Sequence, residues 1–182
     1  MKEMNPRYIS MMQARTAQVA IGHSTLRNQG APDVIATARS YLSKVDLSKF
    51  AATESEEEFL SVLNKRTKSL ADRFPGEAKG NWGAARKALN IFLRDCLYNR
   101  YLAEHFGLVK LECWLEIPLD GDVGNKLREK FPEILPKWKT IKRLTPGVSQ
   151  QFQEAAAVHA VQEQVCKVLL DLKFWRNGGQ NN

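Results

Sequence analysis

Apolar residues recur at three- and four-residue spacing almost from end to end of this chain, and prolines, glycines and capping residues cut that pattern into segments. A chain patterned this way buries one stripe of each helix against other helices. The first segment covers about residues 7–27, with Tyr8, Met11, Met12, Arg15 and Val19 at helical spacing. Gly30 and Pro32 break the chain before a helix at about 33–43 that carries Val34, Ala38, Tyr41 and Leu42 on one side. Ser55 and Glu58 read as a capping box ahead of Phe59, Leu60, Val62 and Leu63, and Pro75-Gly76 stops that helix near Phe74. From Trp82, the residues Ala85, Leu89, Phe92, Leu93, Cys96 and Leu97 share a face, with Arg86, Asn90 and Arg94 turned elsewhere. Leu111 to Ile117 alternates in part, which leaves a short strand open. Asp120-Gly121-Asp122 caps a short helix carrying Val123, Leu127 and Phe131. Thr145-Pro146 opens a final helix to about Trp175, whose expected buried stripe is Val158, Val161, Val165, Val168 or Leu169, and Leu172.

This pattern implies an all-α fold, a single helical domain of about six to eight helices over residues 1–176, with a polar tail at 177–182 that frays. With 182 residues, 43% of them apolar, the chain has enough material for a core. No run approaches the roughly 18 consecutive apolar residues of a membrane span, and the first residues lack the apolar stretch of a signal peptide. The expectation is a cytoplasmic protein that does not engage membranes.

Cys96, Cys113 and Cys166 form no recognisable disulfide framework and no CxxC pair, so reduced thiols are expected. His23, His105 and His159 lie far apart, and no metal site or cofactor is expected. His159, near the apolar stripe of the last helix, reads as a core histidine. Phosphate-cradling glycine motifs and the nucleophile elbow are absent from the sequence.

Charge is the outstanding compositional feature. The net formal charge is +7, with a pI near 9.4. Residues 64–100 carry nine basic side chains against three acidic ones, and residues 126–143 carry seven against two. These segments hold +6 and +5, so the rest of the chain is net −4. A polyanion laid across both would release counterions on binding. The partner expected is nucleic acid, most readily DNA, contacted by Arg86, Arg94, Lys126, Arg128, Lys137, Lys139, Lys142 and Arg143. Trp82 and Trp138 lie within the basic segments as candidates for stacking on unpaired bases, although core packing is the commoner role of such residues.

Two short stretches carry more specific information. Gly83-Ala84-Ala85-Arg86-Lys87-Ala88-Leu89-Asn90-Ile91-Phe92-Leu93 opens a helix after a glycine, and Leu119-Asp120-Gly121-Asp122-Val123 opens another. Over about residues 74–128 the chain resembles the helix-hairpin-helix DNA glycosylase superfamily of the endonuclease III type. Lys87 matches the lysine of that family's pattern, Asp120 matches the aspartate that opens a later helix, and Phe74-Pro75-Gly76 sits where the family has Leu-Pro-Gly. The chain departs from the pattern in three ways: six residues separate Gly76 from Gly83, 33 positions separate Lys87 from Asp120, and Asp122 stands where the family often has histidine or asparagine.

The resemblance implies a DNA-repair hydrolase that cleaves the N-glycosidic bond of a flipped base. Asp120 would stabilise the oxocarbenium-like sugar and Lys87 would attack the sugar carbon. Trp82, Trp114 or Tyr98 would line the base pocket. Read without the resemblance, Asp120 is a helix cap, Lys87 a solvated helix lysine, and the chain a non-catalytic basic helical module for nucleic acid or protein, such as an accessory protein of mobile DNA. On that reading Asp120→Asn should leave stability nearly unchanged, because asparagine caps about as well as aspartate.

Overall fold

The computed structural model describes residues 4–174, so the tail 177–182 and Trp175 lie outside the described residues. The fold is all-α, and no strand occurs among the described residues. The helices in chain order are α1 (Pro6–Ala20), α2 (His23–Leu26), α3 (Val34–Leu42), α4 (Ser48–Ala51), α5 (Glu56–Ala71), α6 (Trp82–Tyr98), α7 (Arg100–Phe106), α8 (Gly121–Lys130), α9 (Pro146–Glu163) and α10 (Leu170–Phe174). Short 3-10 turns interleave with them. Six of these ten segments reach nine residues or more, against an expectation of about six to eight helices. Leu108–Trp114 is 3-10 helix rather than strand.

Several helix starts follow the local chemistry that the sequence carries. Ser55 Oγ accepts from the Glu58 amide at 3.2 Å, and three glutamates occupy the positive end of α5. Asn81 caps α6 and Thr145 caps α9, with Pro146 in the first turn. Asp120 caps α8 through hydrogen bonds from the amides of Asp122 and Val123, both 3.1 Å.

α6 is the central helix and packs against α5, α1 and α3. The residues from Gly83 to Asn90 are all buried, so this helix has no solvated side over its first turns. Its expected apolar face holds, with Ala85, Leu89, Phe92, Leu93 and Cys96 in the core. Arg86, Lys87 and Asn90 are buried as well, and each must therefore find a polar partner inside the protein.

Two hydrophobic clusters result. The larger gathers α1, α3, α5, α6 and the 3-10 segment Leu108–Trp114, with Phe50, Phe59, Phe74 and Phe92 among its fully buried rings. The smaller lies between α8, α9 and α10 and is built on Ile117, Leu119, Leu127, Phe152 and Phe174. Two helical glycines let the long connection after α8 dock. The Trp138 ring sits against Gly124, where a Cβ would overlap it, and meets Phe152 edge-on at 5.3 Å. The turn at Ile141 presses on Gly83 in the same way.

Three expectations are corrected. In α1, Tyr8, Met11 and Val19 face solvent while Ile9, Gln13, Thr16, Ala17 and Ala20 are buried, and the helix ends at Ala20. Gln13 is drawn inward because its amide donates to the carbonyls of Leu42 and Val45, at 3.1 and 2.7 Å. The last helix is broken, because Gln164 takes a left-handed conformation (φ 57°) and ends α9, and Val158, Val161, Val165 and Leu172 are exposed. The buried face of α9 is instead Phe152, Ala155, Ala156, His159 and Ala160. Finally, Cys113 and Cys166 form a disulfide, with Cα atoms 4.7 Å apart. The two 3-10 segments flanking these residues pack together although 53 positions separate the cysteines. Cys96 is free and buried, and burial holds its thiol pKa well above the usual range.

Candidate functional site

The site is built around one buried extended segment, residues 115–120, which lies between α6 and α9. Several residues along it are tied down. Glu116 accepts a bidentate pair from Arg86, with Nε–Oε2 at 2.8 Å and NH2–Oε1 at 2.7 Å, and a further bond from Asn90 Nδ2 at 2.8 Å. Arg86 also donates to Asn64 and Thr67 of α5 and stacks on the Trp82 ring. Ile117 has both backbone groups paired with the Gln153 amide of α9, at 3.1 and 2.8 Å. Leu119 enters the smaller core. These anchors deliver Asp120 to the start of α8 with its direction set.

Asp120 meets Lys87 there. Lys87 Nζ lies 3.2 Å from Asp120 Oδ2, while Oδ1 carries the cap of α8. The lysine side chain is 6% exposed and the aspartate 32%. Both line a cleft of about 400 Å³, together with Val19 and Ala20 of α1, Ser24 and Thr25 of α2, Ile91, Arg94, Asp95 and Tyr98 of α6, Pro118, and Asp171 and Leu172 of α10. Arg94 is held by Asp95 (Nε–Oδ1 2.9 Å) and by Asp171. Burial raises the Asp171 carboxyl above its ordinary value, with Arg94 opposing the shift. Burial also raises the Tyr98 phenol, again with Arg94 opposing.

The structure therefore brings Lys87, Asp120, Arg94 and Tyr98 together, and adds Asp171, which no motif marks. It does not bring the 126–143 segment into the cleft. Lys137, Lys139, Lys142 and Arg143 are exposed, Arg128 is half-buried, and Lys126 Nζ donates to the Phe174 carbonyl at 2.8 Å. Arg86 is a correction: it is buried, and its donors are committed to Glu116, Asn64 and Thr67, so it offers nothing to an external phosphate. Trp82 and Trp138 are likewise packed, one against Arg86 and the other against Phe152.

The connection between α5 and α6 is not the tight hairpin of the resemblance. It runs over residues 72–81, contains a 3-10 turn at Gly76–Ala78, and closes with the Gly80 amide on the Ala71 carbonyl at 2.9 Å. His159 is buried in the smaller core and stacks on Phe174. Among the described residues, no group of three His, Cys, Asp or Glu side chains is placed to hold a metal ion, and no helix is long and apolar enough to cross a membrane. No family model matches the chain, and neither a curated protein nor a solved structure matches it.

Proposed function

We propose that this chain binds nucleic acid and breaks the N-glycosidic bond of a base extruded into the cleft at Lys87 and Asp120. The observation that carries this reading is the 3.2 Å contact between Lys87 Nζ and Asp120 Oδ2 at the wall of an open cleft. A carboxylate there faces the positive charge that develops on the sugar as the base departs. The neighbouring amine, once it gives up a proton, is a nucleophile for the same sugar carbon. The departing base carries away the bonding electron pair and takes up a proton. Exposed Lys137, Lys139, Lys142 and Arg143 supply phosphate contacts outside the cleft.

The test is a panel of duplexes carrying single damaged or mismatched bases, assayed with wild type and Asp120→Asn side by side. Expected are excision of at least one base by the wild type, loss by a factor of about 10² or more in the variant, and DNA binding that persists in both and weakens steeply with salt. Absence of excision across the panel sinks the reading.

One observation favours a second reading. Asp120 Oδ1 is fully engaged in capping α8, so the residue has a structural reason to be present without any chemistry. On that reading the chain is a non-catalytic basic module, and salt-sensitive binding without excision is its signature.

A further inference from the structure

Arg94 lies seven residues beyond Lys87 on α6, two turns or about 10 Å along the axis. It lines the same cleft, together with Asp171 from α10. The guanidinium is fixed in orientation, because Asp95 takes Nε and NH2 while Asp171 takes NH1. Asp171 uses Oδ2 for that contact, and among the described residues its Oδ1 accepts no hydrogen bond. A held donor and a spare acceptor therefore stand side by side on the cleft lining. The lips beside them are apolar and exposed: Val19 is 67% exposed, Leu172 61% and Tyr98 46%. Largely buried polar groups beside exposed apolar and aromatic ones suit a flat heterocycle that enters edge first.

We propose that Arg94 and Asp171 form a subsite that reads the hydrogen-bonding edge of a nucleobase. Arg94 donates to a ring nitrogen or carbonyl oxygen, and Asp171 Oδ1 accepts from the adjoining N–H. The subsite deepens the excision reading by naming what selects the base. The distance along α6 leaves room for the sugar at Lys87 and Asp120 and the base at Arg94 and Asp171. Recognition requires a donor beside an acceptor, so a methyl group on the donor nitrogen abolishes it.

The test is a titration of the intact protein with adenosine, cytidine, guanosine, uridine, 1-methylguanosine and 3-methyluridine up to about 10 mM, followed by the side-chain Nε–H resonance of Arg94 and the ring resonances of Tyr98. At least one of the four unmethylated nucleosides should shift both sets, methylation of guanosine or uridine should weaken its binding at least about tenfold, and Asp171→Ala should weaken the unmethylated one by a similar factor. If Asp171→Ala fails to fold, the methylated pairs decide alone. Equal binding of methylated and unmethylated nucleosides, or an Arg94 resonance that ignores all of them, overturns the proposal. Excision accompanied by a silent Arg94 resonance overturns the subsite and leaves the excision reading standing. Edge-selective nucleoside binding without excision supports the subsite and removes the chemistry.

Discussion

Asp120 divides its two carboxylate oxygens between two elements: Oδ1 accepts from the α8 amides of Asp122 and Val123, and Oδ2 meets Lys87 Nζ at 3.2 Å. The cap fixes the carboxylate, and the carboxylate holds a lysine that is otherwise buried in the core of α6.

That division argues for a measurable cost where capping alone led to the expectation that Asp120→Asn leaves stability nearly unchanged. An asparagine has one carbonyl oxygen, so it either keeps the cap and turns its NH2 toward the Lys87 ammonium, or serves Lys87 and loses the cap. The expected cost is about 1–2 kcal/mol, read by urea denaturation. Adding Lys87→Met should recover part of it, since the buried cation then needs no partner. A loss below about 0.5 kcal/mol for the single change would show that the two roles do not compete.

Glu116→Gln should be among the most damaging single changes. The carboxylate is 6% exposed and accepts three hydrogen bonds from Arg86 and Asn90. Its neutral replacement leaves the Arg86 guanidinium buried without a counter-charge, at a cost of about 3–5 kcal/mol. Arg86→Met combined with Glu116→Leu should restore most of that loss, and the two denaturation midpoints check it.

Gly124→Ala should displace Trp138, because the new Cβ overlaps the ring. The expected loss is about 1–3 kcal/mol, with tryptophan emission moving to longer wavelength. Gly121→Ala, with nothing within 4 Å of its Cβ, is the control and should change stability by less than about 0.5 kcal/mol.

The Cys113–Cys166 disulfide makes a prediction by thiol count. Oxidised protein unfolded in denaturant should titrate a single thiol, Cys96, and that thiol should resist alkylation while the protein is folded because it is buried and its pKa is raised. Reduction should cost about 4 kcal/mol on loop-closure entropy for a separation of 53 residues. Three thiols in air-oxidised protein would contradict the pairing.

The stability of Asp171 depends on pH with a definite sign. Its carboxyl pKa is raised in the folded state, chiefly by burial and further by Asp120, against the attraction of Arg94 and Lys87. A group raised on folding contributes stability at pH below its unfolded value and loses it as pH climbs through the folded value. The stability of wild type relative to Asp171→Asn should therefore be greatest near about pH 3 and decline through the mildly acid range. Melting temperatures of both proteins across pH would show a flat difference if the carboxyl were not buried.

Much of the fold was legible because regular periodicity and capping chemistry are local. The apolar face of α6 and the caps at Ser55, Asp120 and Thr145 needed only neighbouring residues to be read. α9 was misread for a physical reason: its buried face is made of alanines, a serine, a glutamine, a histidine and one phenylalanine, while Val158 and Val161 face solvent. Its end at Gln164 carries neither glycine nor proline. Of the site, the contact of Lys87 with Asp120 joins residues 33 positions apart, and the burial of Arg86 followed from Glu116, 30 positions away. Asp171 lay beyond reach, since nothing around it in the chain marks it and only the docking of α10 brings it to Arg94.

The two cations of the cleft and the carboxylates opposite them come from different cores, and the chain is made in order. Lys87 and Arg94 belong to a helix of the larger cluster, while Asp120 and Asp171 are carried by segments that pack in the smaller one. Arg94 precedes Asp171 by 77 positions, a delay of about 4–15 s at ordinary rates of synthesis. Once Leu115 has been made, the larger cluster holds its core residues from Ile9 to Leu115 but still lacks its closing partner Val168, 53 positions further on. The cleft consequently acquires its full charge pattern only when the last described helix docks, which makes completion of the site a late event in the life of each new molecule.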